Sequence, residues 1–118
     1  MGPVPSGFTL ETFIGKPLNQ ICIGPYDLQF RFDDKHGITC QSQGRVVLEL
    51  DGQSTVLFDD ETWGDVSALP RIVGRDVAAW KIEASYEFSV SLTDGAKLRF
   101  QSSDGYEDFV IYPGMLVV

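Results

Sequence analysis

The sequence contains few of the residues that metal and nucleophile chemistry requires. It has one histidine, His36, and two cysteines, Cys22 and Cys40, which lie 18 residues apart with no CxxC spacing. Zinc sites usually combine four Cys or His ligands, so this composition argues against one. Cys22 lies between Ile21 and Ile23, and Cys40 lies two residues after Ile38, which predicts buried free thiols that pack as small hydrophobes. A disulfide or a reactive thiol is the alternative.

The motifs of the common enzyme classes are also missing. The chain has no GxSxG elbow, no phosphate loop ending in Lys-Ser/Thr, no HExxH and no dinucleotide fingerprint. His36 stands in the run from Asp33 to Gly37, a pattern typical of a solvated hairpin tip. We predict no catalytic residue and no cofactor, although an unfamiliar enzyme class stays open.

Two acidic runs contain the oxygen ligands that calcium or magnesium would use. The first run is Asp59-Asp60-Glu61, and the second comprises Asp104, Glu107 and Asp108. Neither run has the alternating Asp spacing of a calcium loop. The sequence therefore predicts no metal site.

Basic residues and long apolar segments are scarce. Nine Lys and Arg residues stand against 17 Asp and Glu, which gives a formal net charge of -8. That charge repels phosphate backbones and anionic lipids, so we expect neither nucleic-acid nor membrane binding. The negative charge favours a basic protein partner. The alternative is that it only keeps a small protein soluble. No segment approaches the roughly 20 apolar residues of a membrane span, and residues 1–10 resemble a flexible arm without a signal peptide, which predicts a cytoplasmic protein.

The sequence is rich in two-residue alternation of apolar and polar side chains, the pattern of half-buried strands. Tyr26, Leu28, Phe30 and Phe32 are predicted to share one buried face. The same alternation returns at residues 45–50, 80–84, 87–92, 98–100 and 109–111. In the 80–84 segment the predicted buried residues are Trp80, Ile82 and Ala84.

Turn residues separate these segments. Asp51-Gly52 and Asp94-Gly95 each predict a two-residue type I′ turn, because both central residues of that turn need positive φ. Further reversals are expected at 34–37, 43–44 and 102–105, and Gly24-Pro25 is expected to bend the chain before Tyr26.

The two halves of the chain align with each other at an offset of 59 to 60 residues. IGKPLNQICIGPYDLQFRFDD, from position 14, matches VGRDVAAWKIEASYEFSVSLTD, from position 73. Gly15 falls on Gly74, and Tyr26 falls on Tyr86. Alternating strands match at every even shift, but these identities go beyond that pattern.

The alignment predicts two duplicated β-meander units, at about 14–58 and 73–112, within a single domain of residues 1–118. Each unit has an apolar face that it cannot bury alone. We therefore predict an all-β fold, an antiparallel sandwich or a partly closed barrel.

Between the units, residues 59–72 lack alternation and are predicted to form an acidic loop. Its carboxylates are Asp59, Asp60, Glu61 and Asp65. Trp63 lies among them, and an exposed tryptophan with an acidic rim is typical of a surface that binds a basic protein. The alternative is that Trp63 folds back and covers one end of the sheets.

One family resemblance is visible. The frame G-x-x-V/L, an alternating strand, a turn with Asp, a second strand and the block from Asp104 to Glu107 resembles small bacterial all-β domains of unknown function. The likeness covers about Phe13 to Tyr112. Such families are also similar to immunity proteins, which neutralise a toxin by blocking its surface. This resemblance implies a binding role and no catalytic residues.

Three functions follow as hypotheses. The first is a non-catalytic module, an immunity-type inhibitor, that binds a basic protein through the carboxylates of the acidic loop and Trp63. The second is a small-molecule binder or enzyme with a pocket between the halves, near Tyr26 and Tyr86. The third is a subunit of a homo-oligomer that pairs through edge strands or the tail Met115–Val118.

Overall fold

The computed structural model describes residues 4, 7–103, 108–113 and 116–117. The strands are β1 (Gln20–Ile23), β2 (Leu28–Arg31), β3 (Gly37–Cys40), β4 (Arg45–Leu50), β5 (Gln53–Asp59), β6 (Thr62–Trp63), β7 (Val77–Ala84), β8 (Glu87–Leu92), β9 (Ala96–Gln101), β10 (Phe109–Tyr112) and β11 (Leu116–Val117). Three short 3₁₀ turns occur at Glu11–Phe13, Leu69–Arg71 and Thr93–Gly95. Among the described residues, no helix is long and apolar enough to cross a membrane.

The strands form two antiparallel sheets that pack as a sandwich. Sheet 1 has the order β1-β2-β3-β10-β11, and sheet 2 has the order β6-β5-β4-β9-β8-β7. The prediction of an all-β antiparallel fold is confirmed, and of its two forms the sandwich is the one found, without barrel closure.

The two sheets share one plan in which each half of the chain contributes strands to both sheets. Sheet 1 contains β1-β2-β3 followed by β10, and sheet 2 contains β7-β8-β9 followed by β4. The fourth strand of each set therefore comes from the other half of the chain. This is a pseudo-twofold arrangement of strands; duplication of the sequence itself stays a prediction.

A short ladder at the start of β1 and β7 follows the same symmetry. Gly15 N–H donates to the Val77 carbonyl (2.8 Å), and Gly74 N–H donates to the Leu18 carbonyl (2.7 Å). Both glycines have positive φ, at 84° and 93°, a conformation that other L residues rarely adopt. The alignment of Gly15 with Gly74 thus reflects a common backbone geometry.

The core lies between the sheets and is rich in phenylalanine. Phe100 contacts Phe30, Phe88 and Phe109, with ring centroids 4.8 to 5.7 Å apart. Such ring pairs add to the stabilisation that comes from buried apolar area. The predicted core positions of residues 87–92 are confirmed, since Phe88, Val90 and Leu92 are buried, but Ser89 on the opposite face is buried as well.

Several predictions of local structure need correction. Residues 1–10 were expected to form a flexible arm, but Phe8 and Leu10 are buried, and Phe8 packs between Trp80 and Phe88. Positions 1–3, 5 and 6 lie outside the described residues. The loop expected at 59–72 contains the end of β5, all of β6 and the 3₁₀ turn at Leu69–Arg71.

The third correction concerns β7. Ile82 and Ala84 are exposed and Trp80 is only half-buried, because β7 is an edge strand and two bulges interrupt its alternation. Tyr26 also departs from the predicted buried face of β2. It lies in the bend after Gly24-Pro25 and is 66% exposed.

The turn predictions hold in part. Asp51 and Gly52 both have positive φ and join β4 to β5 as a two-residue turn. Asp94 and Gly95 also have positive φ, but the loop between β8 and β9 has three residues, because Leu92 pairs with Ala96. Gly37 was expected within a reversal and is instead the first residue of β3. Residues 104 and 105 of the last predicted reversal lie outside the described residues.

Candidate functional site

The acidic residues of the predicted loop lie on and beside a β-hairpin. Asp59 ends β5, Thr62 and Trp63 form β6, and Asp60-Glu61 is the two-residue turn between them. Asp60 and Glu61 both have positive φ, at 50° and 60°, as a type I′ turn requires. We call Asp59–Asp65 the acidic hairpin. Its tip therefore has a defined backbone shape.

The tip carboxylates have no cationic partner in the described part of the chain. Asp59 faces Arg45 at 3.8 Å, but Asp60 and Glu61 form no ion pair and are exposed. The basic residues are largely occupied elsewhere. Lys16, Arg71, Lys81, Lys97 and Arg99 each pair with another carboxylate. The acidic hairpin thus carries uncompensated negative charge.

Trp63 is half-buried beneath this tip. Its ring packs edge-on against Phe58, with centroids 4.8 Å apart, and it contacts the edge of the core. This is the packing that the alternative interpretation of Trp63 expects. The indole anchors the hairpin to sheet 2, and part of its surface stays accessible to a partner.

The segment after β6 lies close against β5. Gly64 N–H donates to the Leu57 carbonyl at 2.9 Å, and a Cβ at Gly64 would lie 2.0 Å from the Val56 carbonyl oxygen. Only glycine fits there. Asp65 accepts a hydrogen bond from Ser67 N–H (2.9 Å), and its bonds from the Ser67 side chain and backbone lower its pKa. Asp65 is therefore ionised and fixed in place.

An apolar groove begins beside Asp65. It has a volume of about 530 Å³, and its apolar lining residues are Ile21, Ile23, Val66, Leu69, Pro70 and Val73. Ile23 is 58% exposed and Val73 is 44% exposed, which is a large exposure for neighbouring aliphatic side chains. One wall is β1, an edge strand of sheet 1. The apolar groove and the acidic hairpin together form the candidate binding surface.

The edge of β1 has backbone groups without partners. β1 pairs with β2 at Cys22↔Gln29, and Gly24 N–H donates to the Asp27 carbonyl in the same register. Because antiparallel pairs alternate, Ile21 and Ile23 direct their N–H and C=O groups away from β2. No described residue pairs with them. An extended segment of a partner could add to this edge.

The two tyrosines of the predicted pocket do not come together with any of these features. Tyr26 lies in the β1–β2 connection and Tyr86 in the β7–β8 connection, which are matching places in the two sheets. Both are exposed. Neither lines the apolar groove or three other depressions on the described surface.

His36 is held by a carboxylate at the start of β3. Its Nδ1 lies 2.8 Å from Asp33 Oδ1, and Asp33 also accepts from the backbone N–H groups of Lys35 and His36. The His36 bond, followed by the Lys35 backbone bond, holds the pKa of Asp33 well below its usual range. The His36 ring packs edge-on against Phe13. These contacts give the pair a structural role in the loop.

Cys40 and Asp108 are structural as well. Both thiols are free; Cys40 is buried and Cys22 half-buried. Burial, and after it the charge of Asp108, raises the pKa of Cys40 and so keeps it a thiol. The buried Asp108 carboxylate accepts hydrogen bonds from Gln43 N–H and from both Ser102 and Ser103. Asp104 and Glu107 lie outside the described residues.

No described cluster of three or more histidine, cysteine or acidic residues has the geometry to hold a metal ion. No protein-family model, curated protein or solved structure matches this chain. What the molecule can do chemically is therefore argued from its own surface.

Sequence reasoning missed the apolar groove. Ile21 and Ile23 alternate with Cys22 as in an ordinary strand, and nothing local indicates that β1 lies at an edge. Val66 and Pro70 stand in the segment 59–72, which was predicted as an acidic loop. The signal that was present is Ala68-Leu69-Pro70, whose apolar character is unusual for a solvated acidic loop.

Proposed function

We propose that this protein is a non-catalytic binding module that recognises a basic protein through the acidic hairpin and the adjacent apolar groove. The observation that carries the proposal is the fixed, exposed pair Asp60 and Glu61, which has no cationic partner among the described residues. Its negative charge lies on the same chain segment as the groove. A partner with basic residues next to apolar ones complements both parts.

The geometry supports a defined recognition surface. Glu61 and Asp65 are four residues apart, which corresponds to at most about 13 Å of extended chain. Complementary charge at this range speeds encounter and selects the partner, while burial of Ile23 and Val73 supplies affinity. Blocking of the partner's surface by a rigid module is the immunity-type inhibition that the sequence resemblance implies.

The test is a pull-down followed by calorimetry with the purified, basic protein that is retained. The test variant carries Asp60→Lys and Glu61→Lys. The matched control carries Asp34→Lys and Asp76→Lys, two exposed carboxylates without ion pairs in the described region, so both variants change the net charge equally. We expect the control to bind like the wild type and the hairpin variant to bind about tenfold more weakly or worse.

Salt sharpens this result. Screening shortens the range of surface charges, so the gap between the two variants should narrow at about 0.5 M NaCl. Equal loss in both variants would mean that only net charge matters, and unchanged binding of the hairpin variant would refute the proposal. Sedimentation of the protein alone at high concentration tests the homo-oligomer alternative, which a monomeric mass would remove.

A further inference from the structure

The outer face of sheet 1 has a second depression, which shares no lining residue with the acidic hairpin or the apolar groove. Its volume is about 530 Å³, and its centre lies across β2, β3 and β10. Gly37 pairs with Arg31 on one side and with Tyr112 on the other, which makes the row Arg31-Gly37-Tyr112. With strands about 4.8 Å apart, Arg31 and Tyr112 flank a gap of about 10 Å over the glycine.

The next row continues the same surface. Thr39 pairs with Gln29 on β2 and with Val110 on β10, so a small hydroxyl side chain occupies the middle of this row as well. All three side chains are half-buried. The depression is thus a structural consequence of two small residues at the centre of a sheet with longer side chains on both sides.

A hydrogen-bonded chain of side chains lies along one wall. Arg31 Nη2 donates to Gln29 Oε1 (3.0 Å), and Gln29 Nε2 donates to Asp27 Oδ2 (2.9 Å). Arg31 forms no ion pair with a described carboxylate. The planar groups are therefore held in a row with donor and acceptor positions left for a ligand. This wall is about 13 Å long.

The charges around the depression nearly cancel. Asp27, Asp33 and Asp34 stand against Arg31 and Lys35, and Asp33 has a further cationic partner in Lys16 at 3.2 Å. A strongly charged ligand would meet like charge on one side or another. An uncharged ligand with many hydroxyl groups could donate to Asp27 and accept from Gln29 and Arg31. The exposed ring of Tyr112 offers a flat apolar surface to such a ligand.

We propose that this depression binds a neutral saccharide, with one sugar ring against Tyr112 and its hydroxyl groups on Gln29, Arg31 and Thr39. The length of the wall favours a short oligosaccharide over a single sugar. This site is independent of the proposed protein-binding surface, because the two share no residue.

The experiment is a titration of the full, isotope-labelled chain with three neutral tetrasaccharides, cellotetraose, maltotetraose and chitotetraose, followed by amide chemical shifts. Glucose serves as the single-ring comparison. We expect one tetrasaccharide to shift the amides of Gln29, Gly37, Thr39 and Tyr112, with glucose binding more weakly. The absence of shifts with all three at millimolar concentration, or shifts confined to another surface, would overturn the proposal.

Variants make the assignment specific. Tyr112→Ala removes the ring, and Thr39→Arg fills the depression with a long side chain; each should weaken binding about tenfold or more. Gln29→Ala serves if either fails to give a folded spectrum. Ser91→Ala, at an outward position of sheet 2, is the matched control and should bind like the wild type. Wild-type affinity in the folded variants of sheet 1 would also overturn the proposal.

Discussion

The outer faces of the two sheets are built on the same plan but are filled differently. The row Arg31-Gly37-Tyr112 of sheet 1 corresponds to Ser91-Lys97-Glu49 of sheet 2, and Thr39 corresponds to Arg99. Where sheet 1 has a glycine and a threonine at its centre, sheet 2 has two long cations.

The two cations of sheet 2 form ion pairs with neighbouring carboxylates. Arg99 bonds to Glu87 (2.6 Å) and to Glu49 (3.3 Å), and Lys97 pairs with Glu83. The bond with Glu87 is the main reason that the pKa of Arg99 is raised. On the outer face of sheet 2 the long cations form ion pairs within the protein. On the outer face of sheet 1 the polar side chains border an open depression and can still bind a ligand. Four predictions follow; the first compares the outer and inner faces of sheet 1, and the other three test the difference between the two sheets.

The largest effect should be a difference in thiol reactivity within sheet 1. Cys22 lies opposite Gln29 and so belongs to the outer face, whereas Cys40 is buried and its raised pKa disfavours the thiolate. Cys22 should react with a disulfide reagent at pH 8 about 100-fold faster or more. Cys22→Ser identifies the fast thiol. Equal rates would show that the inner face of sheet 1 is open to reagents.

Removal of Arg99 should damage the filled face. Arg99→Ala leaves Glu49 and Glu87 without their shared cation, and we expect the free energy of unfolding to fall by about 2 kcal/mol. Urea denaturation measures this loss. If the free energy of unfolding fell no more than for an ordinary surface substitution, the ion pairs of Arg99 with Glu49 and Glu87 would not stabilise the fold.

The pair Lys97 and Glu83 gives the filled face a pH dependence. The hydrogen bond from Lys97, helped by Lys81, lowers the pKa of Glu83 from 4.5 to about 2. A carboxyl group whose pKa is lower in the folded than in the unfolded state stabilises the fold at pH values above its unfolded-state pKa. This stability is lost as the pH falls toward the folded-state pKa. Lys97→Ala should therefore cost about 0.5 to 1 kcal/mol at neutral pH.

The difference between wild type and Lys97→Ala should close as the pH is lowered from about 4.5 to about 2, when Glu83 becomes protonated in the folded protein. Urea denaturation at several pH values follows it. Lys35→Ala, a lysine at the rim of the sheet 1 depression, is the control. A gap of constant size across this range would count against the pair.

The smallest effect should come from the open face. Arg31 is exposed, and among the described residues its side chain bonds only to the Gln29 amide, so Arg31→Ala should change the free energy of unfolding by less than about 0.5 kcal/mol. The same denaturation experiment measures it beside Arg99→Ala. If the two arginines proved equally important to stability, the distinction between the faces would collapse.

The sequence predicted the strands whose alternation is set by a buried face. Phe88, Val90 and Leu92 alternate because one side of β8 meets the core, and the pattern is visible locally. The same reasoning failed for Trp80, Ile82 and Ala84. Whether a strand is central or at an edge depends on pairing between distant residues, and bulges shift the alternation without a local signal.

The binding surfaces were less predictable than the strands. The carboxylates of the acidic hairpin are evident from composition, but the apolar groove forms only when β1 and the 66–73 segment meet in the fold. Gly37 shows a second limit of prediction from sequence. It was predicted to lie in a turn, because a strand glycine cannot be told from a turn glycine until the neighbouring strands are known.

The exchange of β4 and β10 between the sheets has a consequence for how the molecule comes apart. Sheet 1 needs β10 from the second half of the chain, and sheet 2 needs β4 from the first half. Loss of either half therefore removes an inner strand from the sheet that the remaining half begins. The molecule should therefore unfold in one step. By the same logic, two fragments separated within residues 66–68 should each be unstructured alone and should regain the native fold when mixed.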